Sequence, residues 1–215
     1  MIIDTHMHEN IYSDDSNMSL DEITKRAKEI GLNGVCITDH ESNGLRKDIS
    51  PSFYKDEVLV IVGAEILTFE GDILVFGLEK LPEKMIHAKE LIEMVNKVDG
   101  VTISAHPYRN NNRGLGDHIR DVKSTLTGVE AFNGSTYPFA NLYAYALATE
   151  LNLGCFGASD AHVVNKIGTY ATKFADNIRD EKDFIEAIRE GNFCPVRKKD
   201  KGFETINVYD TLRTA

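Results

Sequence analysis

Five short apolar runs in this chain each lead into a histidine or an acidic residue, and this repeated arrangement constrains the fold more than any other feature. Uninterrupted apolar runs that are rich in β-branched residues are typical of strands buried on both faces. The runs and the polar residues that follow them are 2–3 before His6 and His8, 34–38 before Asp39 and His40, 58–62 before Glu65, 101–104 before His106, and 154–158 before Asp160 and His162. We therefore expect buried strands that carry polar side chains at their carboxyl ends.

Segments with helical periodicity lie between these runs, and a glycine follows soon after each of them. They span residues 19–30, 82–98, 137–151 and 180–190. The first also has Ser19 and Glu22 in capping-box spacing. Alternating strands and helices predict right-handed crossovers and a mostly parallel sheet. Because the polar residues collect at strand ends, the sequence favours an α/β fold, a distorted and incomplete (β/α)7 TIM-like barrel, over an open doubly wound sheet.

The length of the chain and its cysteines bound the domain organisation and the compartment. Its 215 residues suffice for a sizeable core, and no linker or repeat divides them, so we expect a single domain over residues 1–215. No apolar stretch approaches the ~20 residues of a membrane span, and no leader peptide precedes the first strand. Cys36, Cys155 and Cys194 are dispersed, which is typical of a reducing compartment. The sequence thus predicts a cytoplasmic protein that does not contact membranes.

The charge balance restricts the class of partner. Lys and Arg total 24 against 34 Asp and Glu, for a formal net charge of −10. A broad nucleic-acid surface would show a basic stripe, so we expect no binding of long nucleic acids. A small phosphorylated substrate remains compatible with this charge, because bound divalent cations invert the charge of a pocket locally.

Five of the seven histidines fall at predicted strand ends, which indicates a metal site. His6 and His8 are two residues apart, and a strand projects such a pair from one face. Imidazole combined with carboxylate suits Zn, Mn, Fe and related ions. The sequence therefore predicts a divalent metal centre, whose candidate ligands are His6, His8, His40, Glu65, His106, Asp160 and His162.

Three further polar residues have two interpretations of equal weight. Asp14 is either a ligand or a turn or capping residue in a loop before a helix, where Asp15 or Ser16 can also serve as the cap. Asp72 is either a ligand or a turn residue at the start of a strand. Asn133 either lines the mouth of the site as a substrate-binding residue or belongs to an ordinary Asn-Gly turn.

The loop after His106 supplies the candidate phosphate-binding cations. Arg109 and Arg113 can grip phosphate oxygens with a planar fork that lysine lacks, and Arg109 is the favoured one of the two. His87 lies on a predicted helix and His118 near the start of one, so a structural role is favoured for both.

Taken in order, these motifs resemble the polymerase and histidinol phosphatase (PHP) superfamily, and the resemblance covers nearly the whole chain. The matching motifs are His6-x-His8, Ser13-Asp14, Thr38-Asp39-His40, Gly63-Ala64-Glu65, Ala105-His106-Pro107 and Asp160-Ala161-His162. The resemblance implies a (β/α)7 barrel, a single PHP-type metallohydrolase domain and two or three divalent ions, Zn, Mn or Fe. The resemblance implies that His6, His8, Glu65 and Asp160 bind one ion. A second ion would share Glu65 and take His106, and a third would use Asp14, His40 and His162.

The resemblance favours Asp14 as a ligand, and it also exposes a departure from the family pattern. Small members carry a histidine where this chain has Asp72, which is shorter and anionic. Aspartate can still ligate, so Asp72 is retained as a predicted ligand with an altered metal preference. Residues 42–57 are also short for the usual second helix, which predicts a smaller lid over the site.

The function implied is that of a metal-dependent phosphoesterase. Its expected substrate is a small phosphomonoester, such as histidinol phosphate or a nucleotide, attacked by a metal-bridged hydroxide. Arg109 would neutralise charge on the phosphoryl oxygens, and Asp39 or His118 is the candidate general acid. The alternatives are an oligonucleotide or phosphodiester exonuclease, hydrolysis of a carbon–nitrogen bond, and a non-catalytic metal-binding module. The substrate and the oligomeric state stay open.

Overall fold

The computed structural model describes residues 1–200 and 202–208, within which strands and helices alternate. The strands are β1 (Ile2–Met7), β2 (Gly34–Ile37), β3 (Ser52–Lys55), β4 (Val58–Val62), β5 (Ala64–Leu67), β6 (Asp72–Phe76), β7 (Val101–Ser104), β8 (Gly128–Asn133), β9 (Gly154–Ala158), β10 (Tyr170–Phe174), β11 (Phe193–Lys199) and β12 (Gly202–Thr205). The helices are α1 (Leu20–Ile30), α2 (Gly44–Asp48), α3 (Ala88–Lys97), α4 (Ile119–Val122), α5 (Pro138–Leu151) and α6 (Glu181–Glu190).

The strands pair into two sheets, so the fold is mixed α/β as expected, but the sheets are not mostly parallel. One sheet has the order β12-β11-β10-β1-β2-β4-β3, and the other has the order β5-β6-β7-β8-β9. Parallel pairs join β1 to β2, β2 to β4, β7 to β8 and β8 to β9, whereas the other ladders are antiparallel. Short connections such as the Glu70-Gly71 turn between β5 and β6 permit only antiparallel pairing. No closed barrel was found among the described strands.

A single apolar run contributes to both sheets, because it bends at Gly63 between β4 and β5. A Cβ at this position would lie 2.6 Å from the Phe76 ring and 2.7 Å from the Val75 carbonyl oxygen, closer than such contacts can be. Glycine therefore allows β5 to turn away from β2 and pair with β6. This bend places the carboxyl end of the run, which carries Glu65, against His40, which lies three positions after the end of β2.

The helices begin and end largely where the sequence predicts. Ser19 and Glu22 form the capping box of α1, and Gly31 ends that helix in the left-handed conformation. The exception is α3, which begins at Ala88 although the periodicity starts at residue 82. The backbone carbonyl of Ile86 accepts a hydrogen bond from Phe69 N, so the segment before Ala88 is held in a loop. Within residues 1–200 and 202–208, no helix is long and apolar enough to cross a membrane.

The helices cover the outer faces of the strands, and this explains why the strands are apolar on both faces. Every residue of β4 and β6 is buried, as is every residue of β7 and β8. Burial of apolar side chains on this scale is the main favourable contribution to folding. The polar residues that end these strands are consequently fixed by a rigid, close-packed framework.

Candidate metal centre

Five predicted ligands converge at one edge of the two sheets, and we call this group the inner cluster. Its members are His6, His8, Glu65, His106 and Asp160, and all five side chains are buried. His6 Nε2 lies 3.1 Å from His8 Nε2, as the two-residue spacing on β1 predicts. Two imidazole nitrogens that face each other at this distance need a proton or a cation between them, and a bound metal ion would take the place of the proton.

Glu65 lies at the centre of the inner cluster because the bend at Gly63 points β5 toward β1. Its Oε1 is 2.8 Å from His106 Nε2, and its Oε2 is 3.3 Å from His6 Nε2. Oε2 is also 3.4 Å from His8 Nε2 and 3.0 Å from His40 Nδ1. One carboxylate thus contacts four histidines, a geometry in which it can bridge two ions.

Unsatisfied polar atoms show that a cation fits this site. Glu65 Oε2 and His40 Nδ1 are buried and have no hydrogen-bond partner of acceptable geometry, although they are close to each other. Buried polar atoms without partners are rare because each costs about 1–3 kcal/mol. A divalent ion would satisfy them. Three sets of donor atoms lie within 4.8 Å of one another: His6, His8 and Asp160; His6, Glu65 and His106; and His8, His40 and His162.

The electrostatics of the inner cluster also favour cations. Burial lowers the pKa of His8 to about 4, so its imidazole is neutral and free to ligate at pH 7. Burial acts in the same direction on His6, but the carboxylates of Asp160, Glu130 and Glu65 outweigh it and raise the His6 pKa well above its usual value. The metal-free site therefore holds a proton at His6, where a bound metal would supply the positive charge instead.

Glu130 is a functional residue that the sequence analysis missed. It lies on β8, fully buried, and its Oε1 is 3.0 Å from His6 Nδ1. Its Oε2 accepts hydrogen bonds from His106 N at 2.7 Å and from Asn133 Nδ2 at 3.0 Å. A carboxylate on the far nitrogen of a ligating histidine fixes the tautomer and leaves the near nitrogen to the metal. The signal available in the sequence was one acidic residue inside an otherwise apolar strand.

His40 and His162 form a more open group with Asp15, which we call the outer cluster. The side chains of His40 and His162 are 26% and 27% exposed. Asp15 Oδ2 lies 3.3 Å from His40 Nε2 and 3.2 Å from His162 Nε2. Asp14, the predicted ligand, is exposed and is not among the acids that contact these histidines in the structure. The loop between β1 and α1 thus brings Asp15 to these histidines, one position after the predicted Asp14.

Arg109 and Asn133 both reach the inner cluster, which for Asn133 is the first of its two interpretations. The Arg109 guanidinium donates to Asp160 Oδ2 and, at 2.9 Å, to Asn133 Oδ1, while its Nε donates to Thr136 Oγ1 at 3.1 Å. Asn133 Nδ2 donates in turn to Asp160 Oδ2 at 3.2 Å. Arg109 is therefore held against a candidate ligand, with 21% of its side chain exposed.

Arg113 and Asp72 form an ion pair at the edge of the inner cluster. Arg113 Nε lies 2.7 Å from Asp72 Oδ2, and Arg113 Nη2 lies 3.0 Å from Asp72 Oδ1. Asp72 approaches His106 only to 3.8 Å, and it belongs to none of the three sets of converging donor atoms. Because β6 is antiparallel to β5 and β7, its first residue lies at the edge where β7 ends, which explains how a residue at a strand start reaches the site.

The two candidate general acids are placed differently from the prediction. Asp39 Oδ1 accepts hydrogen bonds from Glu9 N and Ser13 Oγ, both at 2.9 Å, so it braces the loop after β1. Burial raises the pKa of Asp39 to about 7. Ser13 Oγ lies 3.4 Å from His8 Nδ1, and Asp39 thus supports His8 from behind. His118 is exposed and contacts Asp121, so the structure does not bring it to the cluster.

Backbone strain coincides with two of the ligands. His106 and Asp160 have positive φ angles of 28° and 50°, which residues other than glycine seldom adopt. Each strained residue is held by hydrogen bonds, His106 N to Glu130 Oε2 and Asp160 N to His6 O at 2.8 Å. Strain of this kind persists only where the surroundings over-determine the geometry, and it collects at functional sites.

Two sequence comparisons bear on this site. Residues 138–193 match the family model described as PHP-associated. An uncharacterized protein of Methanocaldococcus jannaschii is 38% identical over 113 residues, a match that spans 52% of this chain and 64% of that protein. The chain thus covers less than two thirds of the length of this relative.

The fold is similar to that of several solved structures. PsfC from Pseudomonas syringae has a TM-score of 0.73 at 19% identity, with 93% of this chain and 92% of that chain covered. A two-domain protein of Bacteroides vulgatus containing a predicted PHP-like metal-dependent phosphoesterase has a TM-score of 0.67 at 18% identity, with 91% and 64% covered. The lesion-specific endonuclease PfuEndoQ from Pyrococcus furiosus has a TM-score of 0.68 at 17% identity, with 99% and 65% covered. The family-model match and the shared fold confirm the resemblance of this chain to the PHP superfamily.

Proposed function

We propose that this protein is a metal-dependent phosphoesterase that hydrolyses a small phosphorylated substrate. The observation that carries the proposal is the position of Glu65, whose carboxylate contacts four histidines and has one buried oxygen without a hydrogen-bond partner. His6, His8, Glu65, His106 and Asp160 would hold the inner ions, and Asp15, His40 and His162 an outer one. Two to three divalent ions, Zn, Mn or Fe, suit this mixture of imidazole and carboxylate.

The charge of the site supports a phosphate ester as the substrate. Five carboxylates, those of Asp15, Glu65, Asp72, Glu130 and Asp160, are grouped with only the two guanidiniums of Arg109 and Arg113. Divalent ions, when bound, supply the Lewis acidity and the activated water that ester hydrolysis needs. The chain itself orients His6 through Glu130, holds His8 through Ser13, and keeps Arg109 where charge on a phosphoryl group would develop.

A second candidate is an oligonucleotide or phosphodiester nuclease, and one observation favours it. The chain shares its fold over 99% of its length with PfuEndoQ, which is a lesion-specific endonuclease. The formal net charge of −10 disfavours long nucleic acids, because counterion release from phosphates requires basic side chains. A short oligonucleotide is therefore the form of this alternative that the charge permits.

The architecture proposed with this function is a distorted (β/α)7 barrel in a single PHP-type domain over residues 1–215. Two isolated bridges between the sheets support it: Met7 pairs with Ala161, and His40 pairs with Glu65. They connect β1 to the end of β9 and β2 to β5. A cytoplasmic location is proposed from the dispersed cysteines alone.

The test combines metal analysis with activity. The chain is purified without chelator, its metal content is measured, and hydrolysis of a phosphomonoester panel and a phosphodiester is assayed with and without chelator. We expect hydrolysis that chelator abolishes and that His8→Ala removes, whereas His87→Ala, a histidine outside both clusters, retains it. Bound ions without turnover of any phosphate ester would overturn the proposal in favour of carbon–nitrogen bond hydrolysis or a non-catalytic module. Preference for the diester would instead favour the nuclease.

A further inference from the structure

The carboxylate of Asp72 is paired with an arginine on both oxygens, which is not the arrangement of a metal ligand. It is buried, and Arg113 donates to both of its carboxylate oxygens, at 2.7 and 3.0 Å. A bidentate pair between arginine and a carboxylate is charge-assisted on both hydrogen bonds and fixes the plane of the guanidinium. Asp72 therefore directs both oxygens toward Arg113, and its nearest approach to an inner-cluster histidine is 3.8 Å, to His106.

The register of β5 and β6 places this ion pair beside Glu65. Glu65 pairs with Leu74, and Leu67 pairs with Asp72. Paired residues project from the same face, as do residues two apart in one strand, so Asp72 is on the same face of the sheet as Glu65. The positive charge of Arg113, paired with Asp72, thus lies on the same side of the sheet as the carboxylate at the centre of the site.

The backbone holds the Arg113 loop as firmly as the side chains do. Asp72 N donates to the carbonyl oxygen of Arg113 at 2.7 Å. A Cβ at Gly71 would lie 2.6 Å from Gly114 C and Leu115 N, so the loop packs directly on the turn that precedes β6. The position of the guanidinium is consequently set by the fold and does not depend on a flexible surface loop.

We propose that Asp72 is a positioning residue and not a metal ligand: it holds Arg113 as a fixed cation beside Glu65, where the guanidinium binds the phosphoryl oxygens of the substrate. The side chain of Arg113 is 38% exposed, and its five N–H donors exceed the two that contact Asp72. Arg109 is more buried and donates to three partners within the site. Arg113 is therefore the better placed of the two to receive a phosphate. The binding of phosphate by Arg113 rests on the proposed function, whereas the inference that Asp72 is not a metal ligand does not.

The first experiment counts metal ions and needs no turnover. Wild type, Asp72→Asn and Glu65→Gln are loaded with Mn²⁺, freed of excess metal by gel filtration and analysed by mass spectrometry for metal per chain. We expect Asp72→Asn to retain the wild-type number of ions and Glu65→Gln to lose at least one. Loss of one ion from Asp72→Asn, in a variant that melts at the wild-type temperature, would overturn the proposal. If that variant melts early, Arg113→Gln, which leaves Asp72 free to ligate, must still bind no additional ion.

The second experiment measures the binding of inorganic phosphate to the Mn²⁺-loaded proteins by calorimetry. We expect Asp72→Asn and Arg113→Gln each to weaken binding roughly tenfold to a hundredfold, as for loss of a charge-assisted hydrogen bond. The double variant should be no weaker than Arg113→Gln alone, because Asp72 acts through Arg113. Additive losses, or wild-type binding by Asp72→Asn, would overturn the proposal. If wild type binds metal but no phosphate, the proposed function fails along with the phosphate role of Arg113, and the metal count still decides whether Asp72 is a ligand.

Discussion

The inner and outer clusters use the same residue types but differ in how the chain holds them. The five inner ligands are all buried, and two of them, His6 and Glu65, lie within strands. Outer ligands lie on the loops that follow strands, with Asp15 57% exposed. Among the partners behind the ligands, Glu130 contacts the inner histidine His6, whereas Ser13 contacts both clusters, with its Oγ 3.4 Å from His8 Nδ1 and accepting from His40 N at 3.2 Å.

The same ligand types can therefore bind ions tightly or exchangeably, depending on how deeply the chain buries them. A buried group of carboxylates is unstable without cations, so the inner cluster should bind its ions tightly and keep them. The outer cluster can exchange its ion with solvent, because water competes at exposed ligands. Under the proposed function, we expect the inner ions to stay bound between turnovers and the outer ion to bind together with the substrate.

The largest expected effect comes from Glu65→Gln, which removes a charge that contacts histidines of both clusters. Substitution by the neutral amide should lower kcat/KM at least about 10³-fold, because metal charge contributes several kcal/mol to the transition state. Metal content and kcat/KM are measured on the same preparation. His87→Ala serves as the control, and retention of all ions by Glu65→Gln would contradict the central position of this residue.

A smaller effect is expected from Glu130→Gln, which alters a partner of the inner cluster without removing a ligand. Loss of such a partner typically costs roughly 10–100-fold in metal affinity. Competition with a fluorescent chelator measures the affinity of the first ion. The contacts of Glu130 described above are to His6, His106 and Asn133 and not to His40 or His162, so affinity for the most weakly bound ion should stay unchanged. If Glu130→Gln lowered the affinity for all ions equally, the two clusters would not differ in how they hold their ions.

The pH dependence of metal binding should also differ between the clusters. The pKa of His6 in the metal-free fold is raised well above 6.5, so the first ion must displace its proton. Inner affinity should therefore increase up to about tenfold per pH unit above pH 6.5 until that raised pKa is passed. The stability of the metal-free fold changes with pH in the opposite direction. Protonated His6 contributes to the free energy of unfolding, and this contribution is lost as pH rises through the raised pKa. Calorimetry in two buffers of different ionisation enthalpy counts the released proton, and its absence near pH 7 would refute the His6 assignment.

The smallest effect separates two adjacent aspartates of the outer cluster. Asp15→Asn should weaken the outer ion roughly fivefold, corresponding to about 1 kcal/mol for an exposed ligand. Asp14→Asn should change neither metal content nor activity, since Asp14 is exposed and lies away from His40 and His162. The two variants carry the same change one position apart, so each controls for the other. A larger effect of Asp14→Asn than of Asp15→Asn would show that Asp14 is the ligand, as the motif predicts.

The inner cluster was predictable from sequence, whereas its surroundings were not. The position of a ligand at the end of an apolar run is a local property, which is why His8 and His106 were identified directly. The turn before α1 has no periodicity to decide between Asp14 and Asp15. Asp72 was found as a polar residue at a strand start, but its partner Arg113 lies 41 positions away in a loop, and loop conformation is not encoded in a pattern.

The same division holds for the fold. The strands that precede ligands were predicted, because uninterrupted apolar residues indicate burial on both faces. The segments β10 to β12, with mixed burial, carry no such signal and form antiparallel neighbours that the expected alternation does not include. The contact between the two sheets was likewise beyond sequence, since it depends on the long-range bridges of Met7 and His40.

The pairing of β1 has a consequence for the order in which the protein acquires its activity during synthesis. β1 is synthesised well before its partner β10 and before Ser159, which lies 155 positions after Asp4 and donates its backbone N–H to the Asp4 carboxylate. Contacts of such long sequence separation form slowly. His6 and His8 therefore wait until β9 and Asp160 have been synthesised before their site is complete, and a nascent chain stalled before β9 should hold fewer ions at the inner cluster than the full chain.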